Sequence, residues 1–99
     1  MHYLKVFANT ITDRLMVELN IPVRTTYTWI EGKNKGVGFR TFSCIGKEQT
    51  LIGELKFPLS ECSRGIYRNQ DQFDEIIKKY KNAYKWNLLF NYDDTEIED

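Results

Sequence analysis

Two stretches of this chain alternate with period two on either side of a polar, glycine-bearing connection, and this pattern constrains the fold more than any other feature. From Val23 to Ile30, Val23, Thr25, Tyr27 and Trp29 share one face, while Arg24, Thr26, Thr28 and Ile30 share the other. Glu31 to Gly36 is polar and holds two glycines. From Val37 to Ile45 the alternation resumes, with Val37, Phe39, Thr41, Ser43 and Ile45 on one side and Gly38, Arg40, Phe42 and Cys44 on the other. This is the pattern of an antiparallel hairpin. A hairpin alone is marginal in water, so one of its faces must be covered.

The cover is a helix predicted over 69–85. Phe73, Ile76, Ile77, Tyr80 and Tyr84 recur at helical spacing. Asp71, Asp74 and Glu75 lie in its first turns and Lys78, Lys79, Lys81 and Lys85 in its later ones, as the helix dipole favours. Asn69 is placed to cap it. Gln49 to Phe57 continues the meander as a third strand ended by Pro58, and Ser60 to Arg68 reads as a loop. Trp86, Leu88, Phe90 and Tyr92 alternate and predict a last strand over 86–92. At the N-terminus Tyr3–Phe7 is aromatic and branched, and reads as a strand. Thr10 and Asp13 then resemble a capping pair, and Ile11, Leu15, Met16 and Leu19 suit a short helix near 10–19. A strand over Arg14–Leu19 competes with that helix, and Pro22 closes the element either way.

The expected fold class is therefore α+β. An antiparallel sheet of four to five strands packs against one long amphipathic C-terminal helix, with a second short helix near residues 10–19. With 99 residues the chain suffices for one core, assigned to 1–92. Five acids and no base fall within Asp93–Asp99, which reads as an acidic, flexible tail. The remainder carries fourteen basic against nine acidic side chains. No apolar run is long enough to span a bilayer and no leader pattern opens the chain, so a cytoplasmic protein without a membrane partner is expected.

Chemistry is thinly supplied. The single histidine, His2, lies beside the terminus, which leaves Cys44 and Cys62 without a well-held base. No spacing of Cys, His or acidic residues matches a metal site, and no cofactor is implied. Gly32, Gly36 and Gly38 suit a tight hairpin better than a phosphate cradle, because no helix follows them.

One local motif carries physical content, Lys35-Gly36-Val37-Gly38-Phe39-Arg40-Thr41-Phe42. It resembles the longer ribonucleoprotein signature of the RNA recognition motif family, and Val6-Phe7-Ala8-Asn9 resembles part of the shorter one. Val37 stands where that family has a stacking aromatic, and Arg40 where it has an aliphatic residue. The resemblance implies a central strand whose aromatics stack on bases while Lys35 meets phosphate. The candidate partner-binding residues are Arg24, Lys33, Lys35, Phe39, Arg40 and Phe42.

Two functions follow as expectations. The first is a non-enzymatic module that stoichiometrically occupies a protein partner, of the inhibitor or adaptor type found among phage and mobile-element proteins. Its basis is the scarcity of chemistry, the segregated charge and the surplus of aromatics. The second is binding of single-stranded RNA or DNA through the basic aromatic hairpin.

Overall fold

A computed structural model describes residues 2–31, 36–62 and 64–95. The elements run α1 (Tyr3–Leu19), β1 (Val23–Ile30), β2 (Gly36–Ser43), β3 (Thr50–Pro58), α2 (Leu59–Cys62), α3 (Gln70–Lys85) and β4 (Phe90–Asp93). The fold is α+β. The strands form one sheet in the order β1-β2-β3-β4.

The N-terminal reading needs correction. Tyr3–Phe7 is not a strand, and the short helix near 10–19 is the later part of a single 17-residue helix. Leu4, Phe7, Ala8, Ile11, Leu15 and Leu19 form one buried stripe along it. That stripe begins at Leu4, so the residues with high strand propensity are recruited by helical packing; propensity is a weak prior against burial. Thr10 and Thr12 are mid-helix, and their hydroxyls donate back to the carbonyls of Val6 and Ala8 at 3.0 and 2.9 Å. Asn20 ends the helix in the left-handed region (φ 56°), its N–H donating to the Met16 carbonyl.

β1 and β2 pair antiparallel in the register Val23↔Ser43 to Ile30↔Gly36, without interruption. β2 and β3 are also antiparallel, with a bulge near Thr41/Phe42 that inserts Ile52 into the core. The sheet is not wholly antiparallel, because β4 pairs parallel to β3. The crossover consists of α2 and α3. The loop expected over 60–68 opens with α2, whose Cys62 is fully buried. α3 lies where the sequence places it, and the Asn69 side chain accepts from the Gln72 N–H at 3.0 Å.

The last strand is shorter than its alternation predicts. Asn87 adopts φ 58°, its N–H donates to Tyr84, and the Leu88 N–H donates to Ala83 at 2.9 Å. This double closure of the helix end uses 86–88, so only 90–93 remain extended.

Both long helices cover the same face of the sheet. Phe7 sits at the centre, with ring centroids of Phe39, Phe57, Phe73 and Tyr67 at 5.1, 5.5, 6.1 and 6.4 Å. Ion pairs Arg14–Asp74 (2.9 Å) and Glu18–Lys81 (3.8 Å) join α1 to α3 in parallel. The residues expected to begin the tail are partly anchored. Asp93 belongs to β4, the Asp94 N–H donates to the Lys56 carbonyl at 2.8 Å, and the Tyr67 hydroxyl donates to Asp94. The rest of the tail, 96–99, lies outside the described residues.

Candidate functional site

Among the described residues, no helix lies on the opposite face of the sheet. Its rows follow from the registers: Ile30, Gly36 and Pro58; then Thr28, Gly38, Lys56 and Asp93; then Thr26, Arg40, Glu54 and Asn91; then Arg24, Phe42 and Leu51. The structure thus brings Arg24, Arg40 and Phe42 together. Phe39 is not with them. It points into the core and has no exposed surface, because odd-numbered residues of β2 face the helices. Lys33 and Lys35 lie outside the described residues.

This placement works against the ribonucleoprotein likeness. The positions corresponding to the stacking pair, Val37 and Phe39, both lie beneath α1 and α3 at 0% exposure. Val6–Asn9, likened to the shorter signature, is helical. Phe42 is the one candidate aromatic left on the open face, and it is half-buried. Arg40 is engaged, its Nε donating to Glu54 at 2.7 Å, while Lys56 approaches the other carboxylate oxygen at 3.7 Å. One carboxylate therefore answers two cations, and the face offers little net charge. Arg24 makes no ion pair with a described residue.

A different surface stands out at one end of the molecule. β1 begins and β2 ends there, β3 and β4 begin there, and both α1 and α3 deliver their C-termini to it. Among the described residues ten large apolar side chains are exposed, and seven of them belong to this end: Met16, Val17, Ile45, Leu51, Trp86, Leu88 and Leu89. Apolar residues exposed singly are ordinary; a group of seven at one pole is not. Trp86 is 68% exposed and Leu88 61%. Leu51, Ile52, Tyr84, Leu88 and Leu89, with Ser43, Thr50 and Asn87, line a concavity of about 310 Å³. Beside it on α3, Lys78, Lys81 and Lys85 line a second groove with Asn82. Tyr84 of the first cavity and Lys85 of the second are chain neighbours, so a cavity of mixed lining is followed along α3 by a lysine-bearing groove.

Sequence reasoning missed this end because Trp86 and Leu88 fit a strand alternation. The available signal was the run Trp86-Asn87-Leu88-Leu89 following a helix whose stripe ends at Tyr84. A left-handed Asn after a lysine-rich last turn marks a helix stop, and apolar residues beyond it project outward.

Chemical machinery is sparse among the described residues. They contain no group of three or more His, Cys, Asp or Glu side chains able to hold a metal ion. Both cysteines are free. Burial pushes the Cys62 thiol up to about 11, helped by the neighbouring Glu61 charge, against hydrogen bonding to the backbone. That makes it a poor nucleophile at neutral pH. Burial likewise raises the Tyr67 and Tyr80 phenols above their ordinary range. Asp93 is held below the usual carboxylate range by hydrogen bonds from the Thr95 side chain and backbone. None of the described helices is long and apolar enough to cross a membrane. Comparison of the chain with protein-family models, with curated proteins and with solved structures finds no match.

Proposed function

We propose that this chain is a non-enzymatic binding module of inhibitor or adaptor type, which occupies a protein partner through the pole formed by the two helix C-termini. The observation that carries the reading is Leu51, Leu88 and Leu89, exposed by 37 to 61% around one concavity, with Trp86, 68% exposed, next in the chain to its lining residue Asn87, and the lysines of α3 in a separate groove. Exposed Trp beside a pocket is the usual anchor of a protein interface, and polar residues around it keep the free protein soluble. Lys78, Lys81 and Lys85 favour a partner whose contact surface is acidic around an apolar centre.

The test is a triple substitution, Trp86→Ser, Leu88→Ser and Leu89→Ser, in the full chain. Its circular dichroism and melting midpoint are expected to match the parent, since these side chains lie outside the core. A partner recovered stoichiometrically from source cells by the parent is expected to be lost by the variant, and kept by the pair Arg24→Ser and Phe42→Ser on the open sheet face. The reverse pattern would place the interface on the sheet and overturn the assignment.

The nucleic-acid reading is less well supported by the geometry. It retains Arg24 beside Phe42, but Phe39 is buried and Arg40 is paired to Glu54. Stacking platforms for single strands need several exposed rings along a cationic groove.

A further inference from the structure

The outer edge of β1 differs from every other part of the sheet. β1 is the terminal strand and is eight residues long. It pairs with β2 along its whole length without a bulge, so alternate residues turn their N–H and C=O groups away from β2. Among the described residues, no hydrogen bond from outside the β1–β2 ladder reaches its main chain. Sheet edges are normally protected by proline, a bulge, brevity or repeated charge. β1 has none of these, and its only charge is Arg24. The other edge, β4, is protected in two of these ways: it is four residues long and runs into consecutive acids.

We propose that this edge is a strand-addition site and that its occupant is β1 of a second copy of this chain, forming one continuous sheet across a twofold axis. An antiparallel pair related by an axis normal to the sheet keeps helices on one side and the open face on the other. It therefore brings open-face residues opposite open-face residues only. Two registers retain most of the strand. Centred on Thr26, Arg24 faces Thr28 of the second copy and Val23 faces Trp29. Centred on Tyr27, Arg24 faces Ile30 and Thr25 faces Trp29. Neither register sets the arginines against each other. In both, Trp29, which is 55% exposed in the single chain, lies opposite a β-branched residue. The strand thus meets itself without opposing like charges and with Trp29 against a β-branched residue, as an isologous interface requires.

The experiment is sedimentation velocity on the full chain under reducing conditions, over a concentration series into the high micromolar range. The expected species has twice the mass of the 11.8 kDa chain. Thr26→Lys with Thr28→Lys places like charges opposite one another in both registers, on side chains that are exposed in the single chain. That variant is expected to keep the parent's circular dichroism and to remain monomeric throughout. The triple substitution at Trp86, Leu88 and Leu89 is expected to dimerise like the parent. A parent that stays monomeric, a lysine variant that dimerises normally, or a dimer abolished by the Trp86 triple substitution instead would each overturn the proposal. Should the lysine variant fail to fold, amide exchange of the parent decides. The outward amides of β1 are expected to gain protection with concentration, and exchange independent of concentration overturns the edge pairing.

Discussion

Removing one atom from the core is expected to make this protein more stable. Tyr80 has no exposed surface; its ring packs on Phe90 at 4.8 Å and lies over Gly53, where any Cβ would run into it. Its hydroxyl is buried and, among the described residues, has no partner of hydrogen-bond geometry. The nearby Thr41 hydroxyl favours the ionised phenol slightly, yet it shares its own hydrogen bond with Thr25 at 3.3 Å, and burial dominates. A buried hydroxyl left unsatisfied costs about 1–3 kcal/mol. Tyr80→Phe removes that cost. The void left has about the volume of one oxygen, which at roughly 24 cal/mol per Å³ costs a few tenths of a kcal/mol. The net expectation is a gain of about 1–2 kcal/mol, and each kcal/mol raises Tm by about 4–8 °C in a domain of this size. Urea unfolding followed by tryptophan fluorescence, with an unchanged m value, measures it. A loss of about 1 kcal/mol or more would refute the reasoning and identify Thr41 as a true partner. A double-mutant cycle with Thr41→Val would then show coupling where an orphaned hydroxyl shows none.

Further outcomes follow from other parts of the fold. Phe39→Ala is expected to cost about 3–5 kcal/mol and Phe42→Ala well under half of that, because only Phe39 is fully buried; equal losses would contradict the assignment of faces. Asn69→Ala is expected to cost about 1 kcal/mol through loss of the cap at the start of α3, read by thermal unfolding. Cys62 is expected to resist iodoacetamide until the chain unfolds, while the half-buried Cys44 reacts in the native state, as peptide mass mapping would resolve. The raised Cys62 value has a definite sign: the native state holds the thiol proton more tightly than the unfolded chain. Stability is therefore unaffected below about pH 9, the free thiol's value, and falls as pH rises toward the native value of about 11. Cys62→Ala should remove the first part of that alkaline decline, and a decline unaltered in the variant would assign it to other groups.

The elements legible in the sequence are those whose local and tertiary signals agree. Val23–Ile30 alternates, has strand propensity and is bounded by Pro22 and a polar connection; its register with β2 follows. The helix over 70–85 combines stripe, cap and charge gradient. At Tyr3–Phe7 the signals conflict, because strand propensity sits on a stripe whose helical spacing shows only when the window runs on to Ala8 and Ile11. At Trp86–Tyr92 the alternation is real, but a helix closure through Asn87 takes its first half. The direction of β4 could not be read at all, since pairing with β3 rather than with another edge is decided by where α3 delivers the chain. The candidate residues fared according to parity. Arg24, Arg40 and Phe42 share the open face through the strand register, whereas Phe39, drawn in by a linear motif that ignores alternation, faces the core.

The parallel attachment of β4 also sets an order of events. β1, β2 and β3 are neighbours in the chain and can close as successive hairpins, each over a short loop. β4 has no such shortcut. Its ladder with β3, from Gly53↔Phe90 to Lys56↔Asp93, spans the whole of α2 and α3, so it forms only once α3 has settled on the sheet. Synthesis reinforces that sequence, because β4 is made after β3, α2 and α3. A chain released before Phe90 would keep the meander and both helices while leaving a second open edge on β3. For such a product the route to association would run through β3, and losing β4 would change what the chain adheres to before it changed what it folds into.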